Sequence, residues 1–231
     1  MSNQYGGRDL TTGSIPRHLV MFSFPLLFGN LFQALYNTVD SIWVGRFIGS
    51  EALGAVSVSF PIIFALTAMV MGVTMAATVL VSQYAGAKDE EMISRTVNNS
   101  FLILGIAGIV VSLIGIFFSR QILIWINTPN EVLGHAVEYL QYYSAGLLFM
   151  FGYNVLSSIM RGLGDSKTPL IFLIIATITN IILDPIFIRG LWFIPAMGIK
   201  GVAIATVISQ GLSFFLLFRL TRLLNIPAAP P

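Results

Sequence analysis

Long apolar runs dominate the chain, each broken by a few polar residues that recur at helical spacing. The pattern predicts six helices, at about 17–44, 53–84, 101–118, 132–160, 168–188 and 197–217. Each is apolar enough and long enough for a hydrocarbon core of ~30 Å. The first would reach ~42 Å at about 1.5 Å per residue, so it is expected to tilt or bend. Pro25 is the expected bend point, because it removes one helical hydrogen bond. Ser14 reads as an N-cap with Pro16 in the first turn. Gly86 is expected to close the second helix, with 88–91 as a polar linker, and Thr168-Pro169 to open the fifth. The domain reading is a cytoplasmic tail at 1–13, a six-helix lobe at 14–222 and a disordered tail at 223–231.

One apolar run carries an anomaly. Asn30, Gln33, Asn37 and Asp40 lie three, four and three residues apart, so they form a polar stripe on an otherwise apolar helix. Asp40 ends it. A carboxylate in that setting costs about 2.5–3.5 kcal/mol on insertion scales, which marks it as functional before structural.

Composition agrees with the pattern. Of the 231 residues, 56% are hydrophobic and only 10% charged, with mean hydropathy +0.86; soluble domains carry roughly 25% charge. The fold class expected is therefore all-α and polytopic. Net charge is +2, and the basic residues are scattered between apolar runs, which argues against a nucleic-acid partner. Cysteine is absent, which excludes thiol catalysis and Cys-ligated metals. No cleavable signal peptide is read at the start. No metal-binding His/Asp cluster or Ser/His pair is evident, so an enzyme is not expected. An even number of spans puts both termini on one side. Arg8, Arg17, Lys88, Arg95, Arg161, Lys167, Arg219 and Arg222 fall on that side, and Arg46, Arg120, Arg189 and Lys200 on the other, which favours cytoplasmic termini.

Of the ten acids, only Asp40 and Asp184 lie well inside predicted spans. Asp40 is six residues before Arg46 and Asp184 five before Arg189, and both helices run outward. Their carboxylates therefore sit at matching depth, roughly 8–9 Å below the outer polar markers. Thr206 lies at the same level, six residues after Lys200 on a helix that runs inward. Asn180 and Thr177 share the face of Asp184, and Pro185 frees the carbonyl of Ile181 beside it. This set suits a hard cation such as Na⁺, or equally a pair of acids that shares a proton. The alternative for every member is that it only joins helices by hydrogen bonds, most plausibly for Asn30, Gln33, Asn37 and Thr177. Tyr139, Asn154 and Gln210 stand between these readings, Tyr139 also fitting an interfacial anchor.

Five stretches together resemble a known family. They are Leu35-Tyr-Asn-Thr-Val-Asp-Ser-Ile-Trp-Val-Gly-Arg46, Ser82-Gln-Tyr-Ala-Gly-Ala87, Arg161-Gly-Leu-Gly-Asp-Ser-Lys-Thr-Pro169, Asn180-Ile-Ile-Leu-Asp-Pro185 and Gly198-Ile-Lys-Gly-Val-Ala-Ile-Ala-Thr206. In this order they resemble the N-terminal six-helix half of multidrug and toxic compound extrusion (MATE) transporters, nearest the prokaryotic DNA-damage-inducible branch. The resemblance implies a plasma-membrane antiporter that exports amphipathic or cationic compounds by alternating access, driven by H⁺ or Na⁺ and needing no other cofactor. It implies a cation-coupling site at Asp40, Asp184, Asn180 and Thr206, with any Na⁺ held by the first three. It implies that Tyr139 and Asn154 line or adjoin a substrate cavity, for which Gln33, Tyr36, Asn37, Thr177 and Gln210 are further candidates. The family joins two such lobes in one chain, so a partner is expected besides the bilayer: a second copy or a related half. The alternative within the wider superfamily is a lipid flippase or passive pore. Flippases of lipid-linked sugars carry several basic residues toward the cavity, and no intramembrane Lys or Arg is read here.

Overall fold

The computed structural model describes residues 13–190 and 194–224. Among them the regular structure is helical: α1 (Ile15–Phe47), α2 (Ser50–Ala87), α3 (Glu90–Trp125), α4 (Asn130–Ala145), α5 (Leu147–Gly162), α6 (Lys167–Arg189) and α7 (Ile199–Leu223). Five of these are long and apolar enough to cross a membrane, and α4 with α5 makes a sixth span bent by 47°. The all-α six-span lobe expected from the sequence is the fold. Of the expected tails, only Gly13, Leu223 and Leu224 fall among the described residues.

The fourth span differs from expectation in being two helices. Prolines do not cause the break. Pro25, Pro61 and Pro185 all sit inside continuous helices, and α1 runs unbroken past its expected bend point. The break falls at Gly146, whose N–H donates to the Tyr143 carbonyl at 3.0 Å while its own carbonyl accepts from Phe149 N–H at 3.1 Å. A Cβ at Gly146 would collide with the side chain of Val207 on α7. The absent side chain lets α7 press into the bend. Gly201 does the same between α7 and α6: a Cβ there would lie 2.7 Å from the Phe187 backbone.

Two other boundaries move. The first turns of α3 are polar, yet they are helical because Asp89 caps them, accepting from Met92 N–H at 3.0 Å. Ile93, Thr96, Val97 and Ser100 then bury one stripe at helical spacing. The end of α2 is closed by Lys88 in the left-handed region (φ 58°) instead of by Gly86. Ser166, not Thr168, is the N-cap of α6, and Asp165 accepts from the N–H groups of Lys167 and Thr168 at 2.9 and 3.0 Å.

Two apolar cores divide the lobe by depth. Near the termini, Val81, Val97, Leu104, Phe151, Leu156 and Leu217 join α2, α3, α5 and α7. At the opposite end, Val44, Ala55, Leu123, Leu140 and Val202 join α1, α2, α3, α4 and α7. The Gly146 break lies where one core gives way to the other. Helix α7 packs on α4, α5 and α6, whereas α1 lies at the rim, mainly on α6. Only Pro25, Tyr36, Asp40 and Val44 of α1 are buried.

Candidate functional site

The buried face of α1 is set by the spacing of Tyr36, Asp40 and Val44, four residues apart, which turns all three toward α6 and α7. On α6, Ala176, Thr177, Asn180, Asp184 and Ile188 form the matching buried stripe. The two stripes meet at the acids. Asp40 is 6% exposed and Asp184 is fully buried. Asp40 interacts electrostatically with Asp184, and the side chains of Asn180 and Thr206 lie within its reach.

Asn180 donates its Nδ2–H to Asp184 Oδ1 at 3.3 Å, one turn away on the same helix. Thr206 comes in from α7, 4% exposed. Tyr36 neighbours both Asp40 and Thr206, and Tyr139 and Tyr143 of α4 also feel the Asp40 charge. The site therefore draws on four helices, α1, α4, α6 and α7.

Its hydrogen bonding is incomplete within the protein. Tyr36 OH, Asp40 Oδ1, Asn180 Oδ1, Asp184 Oδ2 and Thr206 Oγ1 are all buried without a hydrogen-bond partner. Buried polar atoms rarely stay unpaired, because each then costs about 1–3 kcal/mol. One oxygen from each carboxylate and three atoms from their neighbours make a site with spare acceptor capacity for a proton or a small hard cation. Neither ion pair recorded among the described residues, Glu91 with Arg95 and Glu138 with Lys200, involves these acids. No group of three or more His, Cys, Asp or Glu capable of holding a metal occurs among the described residues.

The other sequence candidates scatter. Gln33 and Asn37 are exposed, as is Asn30, because α1 offers the cluster its Tyr36 side and leaves their stripe on the open rim. Thr177 is buried but returns its hydroxyl to the Leu173 carbonyl at 2.9 Å. Asn154 of α5 does the same with its amide to Met150, at 2.8 Å. Gln210 lies one turn beyond Thr206 on α7 and lines a cleft at the α4–α5 break, together with Tyr143, Gly146, Leu147, Met150 and Val207. Tyr143 was not among the expected site residues. Its spacing of four from Tyr139 was the available signal.

Comparison with known proteins agrees on one family. The MatE family model matches residues 25–186. A probable multidrug resistance protein of Bacillus subtilis, YpnP, is 37% identical over 89% of this chain and 45% of its own length. The fold matches a MOP superfamily transporter from Pyrococcus furiosus, described as having a binding pocket of reverse polarity that suggests a different function. The TM-score is 0.82 at 27% identity, over 94% of this chain and 46% of that one. A MATE crystal structure in the bent conformation matches with TM-score 0.81 at 28% identity, over 90% of this chain and 45% of that one. The chain spans about half the length of the relatives it matches.

Proposed function

The chain belongs to the MatE family, and from that premise we propose that it is one six-span lobe of a cation-coupled exporter of amphipathic or cationic compounds. The observation that carries the reading is the meeting of Asp40 and Asp184, from two separate helices, in a buried cluster with unused acceptor atoms.

Two buried carboxylates without a counter-charge repel each other, and each is costly to hold in a membrane. Arrival of H⁺ or Na⁺ neutralises the pair. Asp40 and Asp184 are then drawn together, and Asn180 keeps Asp184 oriented through its amide. Helix α1 is the element placed to respond, since it lies at the rim and is buried only at Pro25, Tyr36, Asp40 and Val44. Its movement would change the shape of the adjoining cavity and expel the compound. A charge moving down 100 mV supplies about 2.3 kcal/mol to drive this. A cationic cargo suits a site lined by acids.

The lobe works beside a second six-span lobe, either another copy or a related half. Its termini face the cytoplasm of a plasma-membrane protein, in keeping with the distribution of Lys and Arg. Particle mass in detergent tests the pairing: a transport-active monomer would contradict it.

The test of the function is efflux from vesicles with imposed pH or Na⁺ gradients. The wild-type chain should export a cationic dye only with a gradient, and Asp40→Asn should abolish that export while inserting normally. Normal pumping by Asp40→Asn contradicts the reading. Flux that persists after an ionophore collapses the gradient identifies a passive pore instead.

A further inference from the structure

Asp40, Val44 and Phe47 follow one another at spacings of four and three, so the Phe47 ring stands on the face of α1 that carries the carboxylate. Trp43, one turn past Asp40, stacks on that ring, with centroids 4.8 Å apart and planes 18° from parallel. From α6, the Arg189 guanidinium lies over the same ring, its Cζ 3.6 Å from the centroid. The last turn of α1 is thereby joined to the last turn of α6. This contact lies on the face of the lobe opposite the termini, seven residues past Asp40 and five past Asp184, or roughly 10 and 8 Å along the helices. Between it and the acids stand Val44 and Ile188, 0% and 4% exposed, both in the apolar core of that end.

The two sides of the contact are held unequally. The end of α6 is fixed from behind. The turn into α7 folds back on it, with Met197 N–H donating to the Phe187 carbonyl at 2.9 Å, and Gly201 of α7 packs on the Phe187 backbone with no room for a Cβ. Helix α7 is tied in turn to α4, by Lys200 and Glu138 at 3.0 Å. Helix α1 has no such backing. It packs mainly on α6, and between Ile15 and Leu35 only Pro25 is buried.

Arg189 is the post in this arrangement and Phe47 the part it grips. Neither ion pair recorded among the described residues involves Arg189, which gives its guanidinium to the ring instead. A cation over an aromatic face is held by the ring quadrupole, and the attraction tolerates an exposed site. Without the grip, the end of α1 that sets the distance of Asp40 from α6 would rest on Val44 alone.

We propose that Arg189 is a positioning residue for the Asp40–Asp184 pair: by clasping Phe47 it fixes the last two turns of α1 on α6, so that α1 swings about this end when a cation arrives. The proposal rests on the reading that the pair holds the coupling cation. It goes further in assigning the pivot, and it gives the mobile part to the half of α1 nearer the termini.

The test compares Phe47→Leu, Arg189→Gln, the double variant and Phe47→Tyr, in the full chain in vesicles. Amide exchange at 45–49 reads the clasp without reference to transport. Each of the first two variants should speed it about two- to fivefold, the range for a cation–π contact at an exposed site. The double variant should be no faster than either single one, and Phe47→Tyr, which keeps the ring, should rescue the protection. Efflux reads the positioning. The concentration of the driving cation at half-maximal rate should rise by the same two- to fivefold. The rate at saturating cation should recover, because a bound cation draws the two carboxylates together whether or not the clasp is made. A fall in that rate with no change in half-saturating concentration means that the contact is merely structural and contradicts the proposal. So do unchanged exchange in the single variants and effects that multiply in the double one. Faster, non-additive exchange in a protein whose Asp40→Asn variant still couples efflux would uphold the clasp and overturn the function assigned to the pair.

Discussion

Val207 of α7 occupies the space into which a side chain at Gly146 would project. The bend between α4 and α5 and the position of α7 are thus one packing solution. Thr206, the residue just before it on α7, lies within reach of Asp40. Gly146→Ala should destabilise the lobe by about 1–3 kcal/mol, the usual cost of overpacking. Val207→Ala in the same chain should recover most of that loss, because it removes the colliding methyl groups. Thermal unfolding in detergent reads both, and a double variant no more stable than Gly146→Ala would show that the contact does not set the bend.

Asn180 is expected to act through Asp184. It donates to Oδ1 from one turn earlier, and a hydrogen bond to a charged group contributes about 1.5–3 kcal/mol. Asn180→Leu should therefore raise the cation concentration for half-maximal efflux about tenfold or more. The half-saturating drug concentration should stay within about twofold of wild type. A change confined to drug affinity would place Asn180 in the cargo site instead.

Tyr153 of α5 reaches across to α6, donating its hydroxyl to the Pro169 carbonyl at 2.8 Å. Tyr153→Phe removes only that bond and should cost about 1 kcal/mol of stability. Gradient-driven efflux should persist, since Tyr153 lies outside the acid cluster. Loss of coupling without loss of thermal stability would contradict this.

Asp89 is the cap that starts α3. Asp89→Ala should cost about 1 kcal/mol and speed amide exchange in the first turn, at 90–93, while Asp89→Ser should preserve most of the protection. Unchanged exchange in the Ala variant would mean that packing of Ile93 and Val97 holds the turn without the cap.

Much of the site could be read along the chain because depth in a membrane is a matter of counting. Asp40 and Asp184 precede basic end-markers by nearly equal numbers of residues, and the helical rise places them level. The faces were harder. The period linking Asn30, Gln33, Asn37 and Asp40 is real, but which side of α1 is covered depends on its seat at the rim against α6. Packing selected the side of Tyr36, Asp40 and Val44 and left Gln33 and Asn37 exposed. The break at Gly146 was hidden for a related reason. Ala145 and Leu147 flank it as ordinary helix formers, and only the approach of Val207, sixty-one residues later, gives the glycine its meaning. Pro25, Pro61 and Pro185 each lie inside a continuous helix and do not mark a helix end. Apolar content alone makes the polar start of α3 look like linker, whereas capping by Asp89 and the buried stripe from Ile93 make it helix.

That Asp40 and Asp184 act as one cation site is tested most directly by a double-mutant cycle on gradient-driven efflux. Asp40→Asn, Asp184→Asn and the double variant are compared at equal membrane abundance in the same vesicles. The account predicts that each single substitution removes coupled efflux and that the double variant is no worse than either. Independent losses that multiply, or a single variant that still pumps against the gradient, would contradict it.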